Sequence, residues 1–441
     1  MQFLCCIARV SDRYINEGGV ELTAEVAVLN KHGIAMAADS AITSGREGIQ
    51  KVYNTANKLF ALSEKHSIGI MVYGAASFME VPWEVIIKSY REVICDRTFN
   101  HLHDYMEDFL RFLNEDARFK NEEVEEIIVY RIFSDNLKRL VKEVEEKMAS
   151  KEHMEEGVTS ERVTNWLDSC AGRMIQSYRK QRKWFIEFEE AAFKERFSSV
   201  VNEVIDELIR YDIPDELIEK LHELAYEATV KDYFSVGSTG FVIGGYGDEE
   251  IFPQLLNYRL EGFVFGQLKY KKLKDKKISY TTDKDDGTAS ITAFAQRDMV
   301  DSFIKGIEPN MEDVIFRIIS SVIKNYHDQI QKNLRIEFTE EEVTKLQKMG
   351  KEVYDSMEIA VKEYQEKNYV EPLLGVVRSL PKEELADMAE ALVSLTTFKR
   401  RVTRATESVG PPIDVAVITK GDGFVWKKRK SYIDPQINSR L

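Results

Sequence analysis

The stretch ELTAEVAVLNKHGIAMAADSAIT, Glu21–Thr43, decides how this chain is read. Two short apolar runs flank a tight NKHG turn, and the second run ends on Asp39. Runs of this length, bounded by turn residues, suit strands buried on both faces of a layered fold. Such a hairpin can be plain β-core or the support of a nucleophile, and the rest of the chain has to separate the two.

Working outward, KLFALS and SIGIMVYGAAS continue the β-rich block to about residue 80. From about 82 to 230 the period changes. LHDYMEDFLRFLNE and VEEIIVYRIFSDNLKRLVKEVEEKM place apolar residues at i, i+3, i+4 and i+7, the pattern of amphipathic helices. Pro214 is expected to open a further helix. Strands return over 238–296, with Pro253 at an edge or a strand start. Helices are expected again over 298–400, where Thr339 and Glu342 fit a capping box. The chain closes on IDVAVITKGDGF, two strands around a Gly-Asp-Gly turn. Helices gathered in blocks exclude strict βα alternation, and favour an α+β fold of packed sheets with helices outside them.

The chain's 441 residues permit two or three domains at roughly 150 residues each. A net charge of -14 argues against binding a nucleic-acid backbone, which calls for a basic face. The basic runs Lys269–Lys277 and Lys427–Lys430 read as solvated strand ends. The apolar stretches fall short of the roughly 20 residues a membrane span needs. Residues 1–14 lack the leading positive charge and the cleavage site of a secretory signal. Cys5, Cys6, Cys95 and Cys170 form no C-x-x-C, so neither a disulfide framework nor a zinc site is expected. The cytoplasm is the expected compartment.

The opening stretch resembles the N-terminal nucleophile hydrolases of the proteasome type, including the peptidase of the bacterial ATP-dependent heat-shock protease. In that family the mature chain begins with Thr, followed by a strand, a Gly-containing turn, a strand and Ala-Ala-Asp-Ser/Thr. Here Thr23 leads into Ala24–Val28, a turn at Lys31–Gly33 and then Ala37-Ala38-Asp39-Ser40, with the family's spacing of 16 residues from Thr23 to Asp39. NKLFAL, Asn57–Leu62, is similar to the segment carrying the family lysine and makes Lys58 its counterpart. MVYGAAS is similar to the segment supplying an oxyanion-stabilising amide, at Gly74. FVIGGYGDEEIFPQLLNYRLEG and IDVAVITKGDGF match the central hairpin and closing strands more loosely, and the resemblance covers roughly 150–180 residues.

The resemblance implies an αββα sandwich enlarged by helical insertions at about 100–230 and 310–400. It makes residues 1–22 an extension or propeptide and residues 23–441 one domain. It also implies a threonine peptidase or amidase without metal or cofactor. Thr23 would be nucleophile, and its own freed amine would be base. Lys58 would tune that amine, Asp39 would position the lysine, and Gly74 would lend an amide. A homo-oligomer and a protein or peptide substrate follow from the same likeness; an ATPase partner, ring size and the substrate's identity do not.

Three departures stand out. Leu22 precedes Thr23 where family precursors commonly carry Gly. The Asp-x-x-Ser-Gly-Gly segment has become ESVGPPID, with Glu407 at the aspartate and Gly410 at the serine. The Gly-Ser-Gly-Ser run is represented by TAFAQRD, without serine. From the residues alone, Thr23 reads equally as a strand threonine and Asp39 and Lys58 as a core ion pair, while Gly74 reads first as a structural glycine. A non-catalytic proteasome-like subunit, working in assembly or partner binding, is the alternative function.

Overall fold

The computed structural model describes residues 23–46, 49–53, 55–149, 159–280, 287–335, 337–403 and 410–430. The opening hairpin forms as read. Strands β1 (Ala24–Asn30) and β2 (Gly33–Ala38) are joined by the two-residue turn Lys31–His32, with Asn30 opposite Gly33. Asn30 closes the turn by accepting from the His32 N–H at 2.7 Å. Its amide nitrogen donates to the carbonyls of Val377 and Leu380 at 2.8 Å each.

A ribbon of β3 (Ile42–Arg46) and β4 (Ile49–Tyr53) follows, then β5 (Leu59–Ala61) and β6 (Ile68–Gly74). A second small ribbon, β7 (Ser77–Phe78) and β8 (Val81–Pro82), leads into the first helical block. Its members are α1 (Trp83–Ile94), α2 (Leu102–Glu115), α3 (Glu122–Met148), α4 (Ser160–Arg179), α5 (Glu190–Leu208) and α6 (Asp215–Val230). Pro214 is the residue preceding α6, where its missing N–H costs nothing. Strands β9 (Thr239–Gly245), β10 (Gln254–Val264), β11 (Gln267–Lys272), β12 (Lys276–Lys277) and β13 (Ala289–Ala295) come next. The second helical block is α7 (Asp298–Lys305), α8 (Pro309–Leu334), α9 (Glu340–Gln365), α10 (Glu371–Val377) and α11 (Lys382–Val402). The capping box forms at α9, where Thr339 and Glu342 satisfy each other's backbone N–H groups. Strands β14 (Asp414–Thr419) and β15 (Gly423–Lys428) complete the chain as described.

Two antiparallel sheets result, ordered β13-β1-β2-β14-β15 and β11-β10-β9-β6-β5. Strand periodicity of two assigns their faces. In β1 and β2, Leu29, Ile34 and Met36 turn to the second sheet, meeting Met71, Val242 and Leu255. The alternate residues Val26, Val28, Ala35 and Ala37 turn outward to Leu385, Ala389 and Val393 of α11. The outer face of the second sheet, with Ile70, Phe241 and Leu260, is covered by the first helical block. There Phe241 stacks on Phe109 of α2 with centroids 4.5 Å apart. The order of layers is helix, sheet, sheet, helix, and the chain is α+β with antiparallel sheets.

The basic run at Lys269–Lys277 departs from its expected solvation. Lys269 is fully buried, donating to the carbonyls of Ala228 at 3.1 Å and Thr229 at 2.7 Å. Helix α6 covers that face of β11, and burial pulls the Lys269 ammonium down to about 8. Among the described residues, no helix is long and apolar enough to cross a membrane.

Candidate functional site

Hairpin register brings the first residues of β1 beside the residue that follows β2. Glu25 lies opposite Ala38, so Ala24 meets Asp39 one step on. The Asp39 N–H donates to the Ala24 carbonyl at 3.1 Å, and the Ala24 N–H returns a bond to Asp39 Oδ1 at 3.1 Å. Lys58, immediately before β5, is fixed by its carbonyl, which accepts from Val72 N–H of β6 at 2.9 Å. Its ammonium reaches the same Asp39 Oδ1 at 2.8 Å. The other oxygen, Oδ2, accepts from the N–H groups of Ala41 at 3.1 Å and Gly410 at 3.2 Å. All four contacts are out of solvent: Asp39 is 1 % exposed and Lys58 4 %.

Thr23 sits at the head of this arrangement and is 1 % exposed. Its hydroxyl donates to Glu25 Oε2 at 3.0 Å, and its carbonyl accepts from Gln296 N–H at 3.1 Å. The other Glu25 oxygen lies 3.8 Å from the Lys58 ammonium. Thr23 and Lys58 are thus linked through carboxylates. Glu25 carries the hydroxyl, and Asp39 carries the backbone one residue on. An ammonium between two buried carboxylates supplies the countercharge that each of them needs out of water.

Gly74 ends β6 with φ of 81°, in the left-handed region. A Cβ there would sit 2.7 Å from the Ser238 carbonyl oxygen, so both conformation and space call for glycine. Gly74 and Lys58 line one cavity of about 160 Å³, together with Val72, Ala76, Trp83 and Glu84. A larger cleft of about 550 Å³ shares Asn57 and Glu84 with it and reaches Arg91, Trp426 and Arg429. Burial pushes the Glu84 carboxyl up, but hydrogen bonds from Lys88 and Asn57 outweigh it and hold the group below the usual range. Burial and the neighbouring Arg429 draw the Arg91 guanidinium down from its ordinary value.

The structure therefore gathers Thr23, Asp39 and Lys58 around shared carboxylates, and places Gly74 on the cavity that Lys58 lines. Residues 1–22 and Glu407 lie outside the described residues. Gly410, the residue aligned with a serine in the sequence comparison, gives Asp39 a backbone N–H. The TAFAQRD segment, in and after β13, runs beside β1, with Ala295 opposite Ala24. Ala295 holds φ at 54°, a conformation in which glycine is favoured.

Sequence reading missed several members. Glu25 had a signal, an acidic residue inside an otherwise apolar strand. Lys430 had none: its run reads as a strand end, yet its ammonium donates to Ser40 Oγ at 2.8 Å and pairs with buried Asp414 at 2.5 Å. Ser40 in turn donates to the Pro412 carbonyl at 2.6 Å, tying the segment after β2 to the one before β14. Among the described residues, no group of three or more His, Cys, Asp or Glu side chains could hold a metal ion.

No protein-family model and no curated protein matches this chain. Among solved structures it is similar to the Anbu (Gly-1) mutant from Hyphomicrobium sp. strain MC1. Identity is 10 %, coverage is 95 % of this chain and 91 % of that one, and the TM-score is 0.29. A likeness at that level carries no argument, and the functional reading rests on the chain's own residues.

Proposed function

We propose that this chain is a proteasome-like threonine hydrolase, a peptidase or amidase of an N-terminal nucleophile αββα sandwich. In this reading, residues 1–22 are removed and Thr23 becomes the first residue of a single domain ending at 441, enlarged by helical insertions. The observation that carries it is one oxygen. Asp39 Oδ1 holds the Lys58 ammonium at 2.8 Å and the backbone N–H following Thr23 at 3.1 Å. A lysine and the backbone next to Thr23 thereby meet at one point.

The chemistry follows from those positions. A freed Thr23 α-amine, whose ordinary pKa is near 8, takes the proton of its own hydroxyl. The oxygen attacks an amide carbonyl, the amine product leaves with that proton, and water then hydrolyses the resulting ester. The Lys58 charge favours the neutral amine by repulsion, Asp39 orients that charge, and an N–H at Gly74 faces the oxyanion. The cavity of about 160 Å³ beside Lys58 and Gly74 takes a side chain of the substrate.

The second reading is a non-catalytic subunit working in assembly or partner binding. It is favoured by the Thr23 hydroxyl, which is buried and donated to Glu25, and by Gly410 where the serine would stand.

Intact mass of the protein purified from its own host separates the two. Loss of residues 1–22 is expected under the first reading. Thr23→Ala should then reduce hydrolysis of a fluorogenic peptide library at least about a thousandfold, the scale for removing a nucleophile. An unprocessed mass, or a rate that survives Thr23→Ala, sinks the hydrolase.

A further inference from the structure

Helices α8 and α9 form an antiparallel hairpin that leaves the body of the protein. Its seam is made by Phe316 against Tyr354, with ring centroids 6.0 Å apart, and by Gln365 donating to Glu312 at 3.0 Å. Ile323 packs on Gly350 in the same seam. Neither helix has a buried residue.

Beside the seam, α8 carries a second apolar row: Met311, Val314, Ile318, Val322 and Tyr326, each 38–58 % exposed. On α9, Met349, Val353 and Tyr364 form the corresponding row, each about 60 % exposed. At 3.6 residues per turn, both rows lie about 110° from their seam residues, in the same sense. Because the helices are antiparallel, equal offsets put both rows on one side of the hairpin.

We propose that this face is a two-fold interface whose occupant is a second copy of the same hairpin, completing a four-helix bundle. Size is the first support. Two helices of 26 residues present a face about 39 Å long and about 20 Å wide, roughly 800 Å² per partner, which is what a standard stable interface buries on each side. Self-complementarity is the second. A two-fold axis through Val322, at the middle of α8, sets Val322 on its own copy and Ile318 against Tyr326 of that copy. The Ile323–Gly350 contact places the same axis near residue 351 of α9, where it sets Met349 against Val353. One axis thus pairs apolar with apolar at the centre of both helices.

Isologous pairing asks for such self-matching, with residue i meeting j and j meeting i. None of these residues belongs to the Thr23 site, so either reading can fail alone.

Sedimentation velocity on the full chain, from about 1 to 100 µM, tests it. The wild type is expected to reach a dimer and stop there. Val322→Glu should be monomeric throughout with an unchanged melting curve. Ile318→Asp should weaken the dimer at least tenfold, whereas Arg317→Asp, on the opposite side of the helix from the apolar row, should leave it unchanged. A wild type that stays monomeric, a dimer indifferent to Val322→Glu, or growth past two copies overturns the proposal. So does a monomer that floats with anionic lipid vesicles, which would give the face to a membrane. If Val322→Glu fails to fold, Ile318→Asp still decides, and a dimer that survives it overturns the proposal.

Discussion

Helices α3 and α8 are nearly equal in length, 27 and 26 residues, and both repeat apolar residues at helical spacing. Fourteen residues of α3 are buried and none of α8 is. α3 is pressed against the second sheet and the neighbouring helices, and α8 meets mainly α9. An amphipathic pattern thus announces an apolar face and is silent on what covers it. α3 needed β10, which begins only at Gln254, for one of its partners, and α8 lacks a cover of comparable size among the described residues.

The largest expected effect tests that contrast directly. Phe133→Ala in α3, where the ring is fully buried, should cost about 3–5 kcal/mol in denaturant unfolding. Ile318→Ala in α8, at a concentration where the chain is monomeric, should stay within about 0.5 kcal/mol. Equal costs would break the comparison. The same contrast between covered and open extends to charge. Lys58→Met strands Asp39 without its buried cation and should cost about 3 kcal/mol or more, whereas Lys88→Met opens an exposed pair with Glu84 and should cost under about 1 kcal/mol. Matching losses would mean that Asp39 is satisfied by its backbone donors alone.

The smallest effects come from two mirror-image changes at left-handed positions. Gly74→Ala should lose about 2 kcal/mol, because the methyl meets the Ser238 carbonyl as well as the backbone strain. Ala295→Gly removes strain but gains chain entropy, and should stabilise by about 1 kcal/mol at most. Melting curves of the pair resolve both signs, and a destabilised Ala295→Gly would show that the alanine is held there by its contacts.

The legible part of the site was the part closed by local geometry. A two-residue turn with fixed register sets Ala24 beside Asp39 on the hairpin side, so the spacing from Thr23 to Asp39 already carried the contact. Lys58 was legible through its segment's likeness, and its contact to Asp39 spans only a short length of chain. Ser40, Asp414 and Lys430 were not, since Lys430 meets Ser40 across 390 positions and a charge run names no partner. Lys269 failed for a related reason: alternation along β11 turns it inward under α6, and nothing in Lys269–Lys277 marks one lysine as covered. The layers were readable from the change between periods two and 3.6, which reports which elements form. It does not report which of their faces meet.

Asp39 also sets a timetable. Its oxygens bind the chain at positions 24, 41, 58 and 410, and β2 has β14 as its second neighbour in the sheet. During synthesis, a ribosome must therefore translate beyond residue 419 before the strand leading to Asp39 is enclosed on both sides. Until then, the head of β1 is held only by contacts from earlier in the chain. Any cutting at Thr23 that depends on the finished site is delayed by this wiring until β14 has been made.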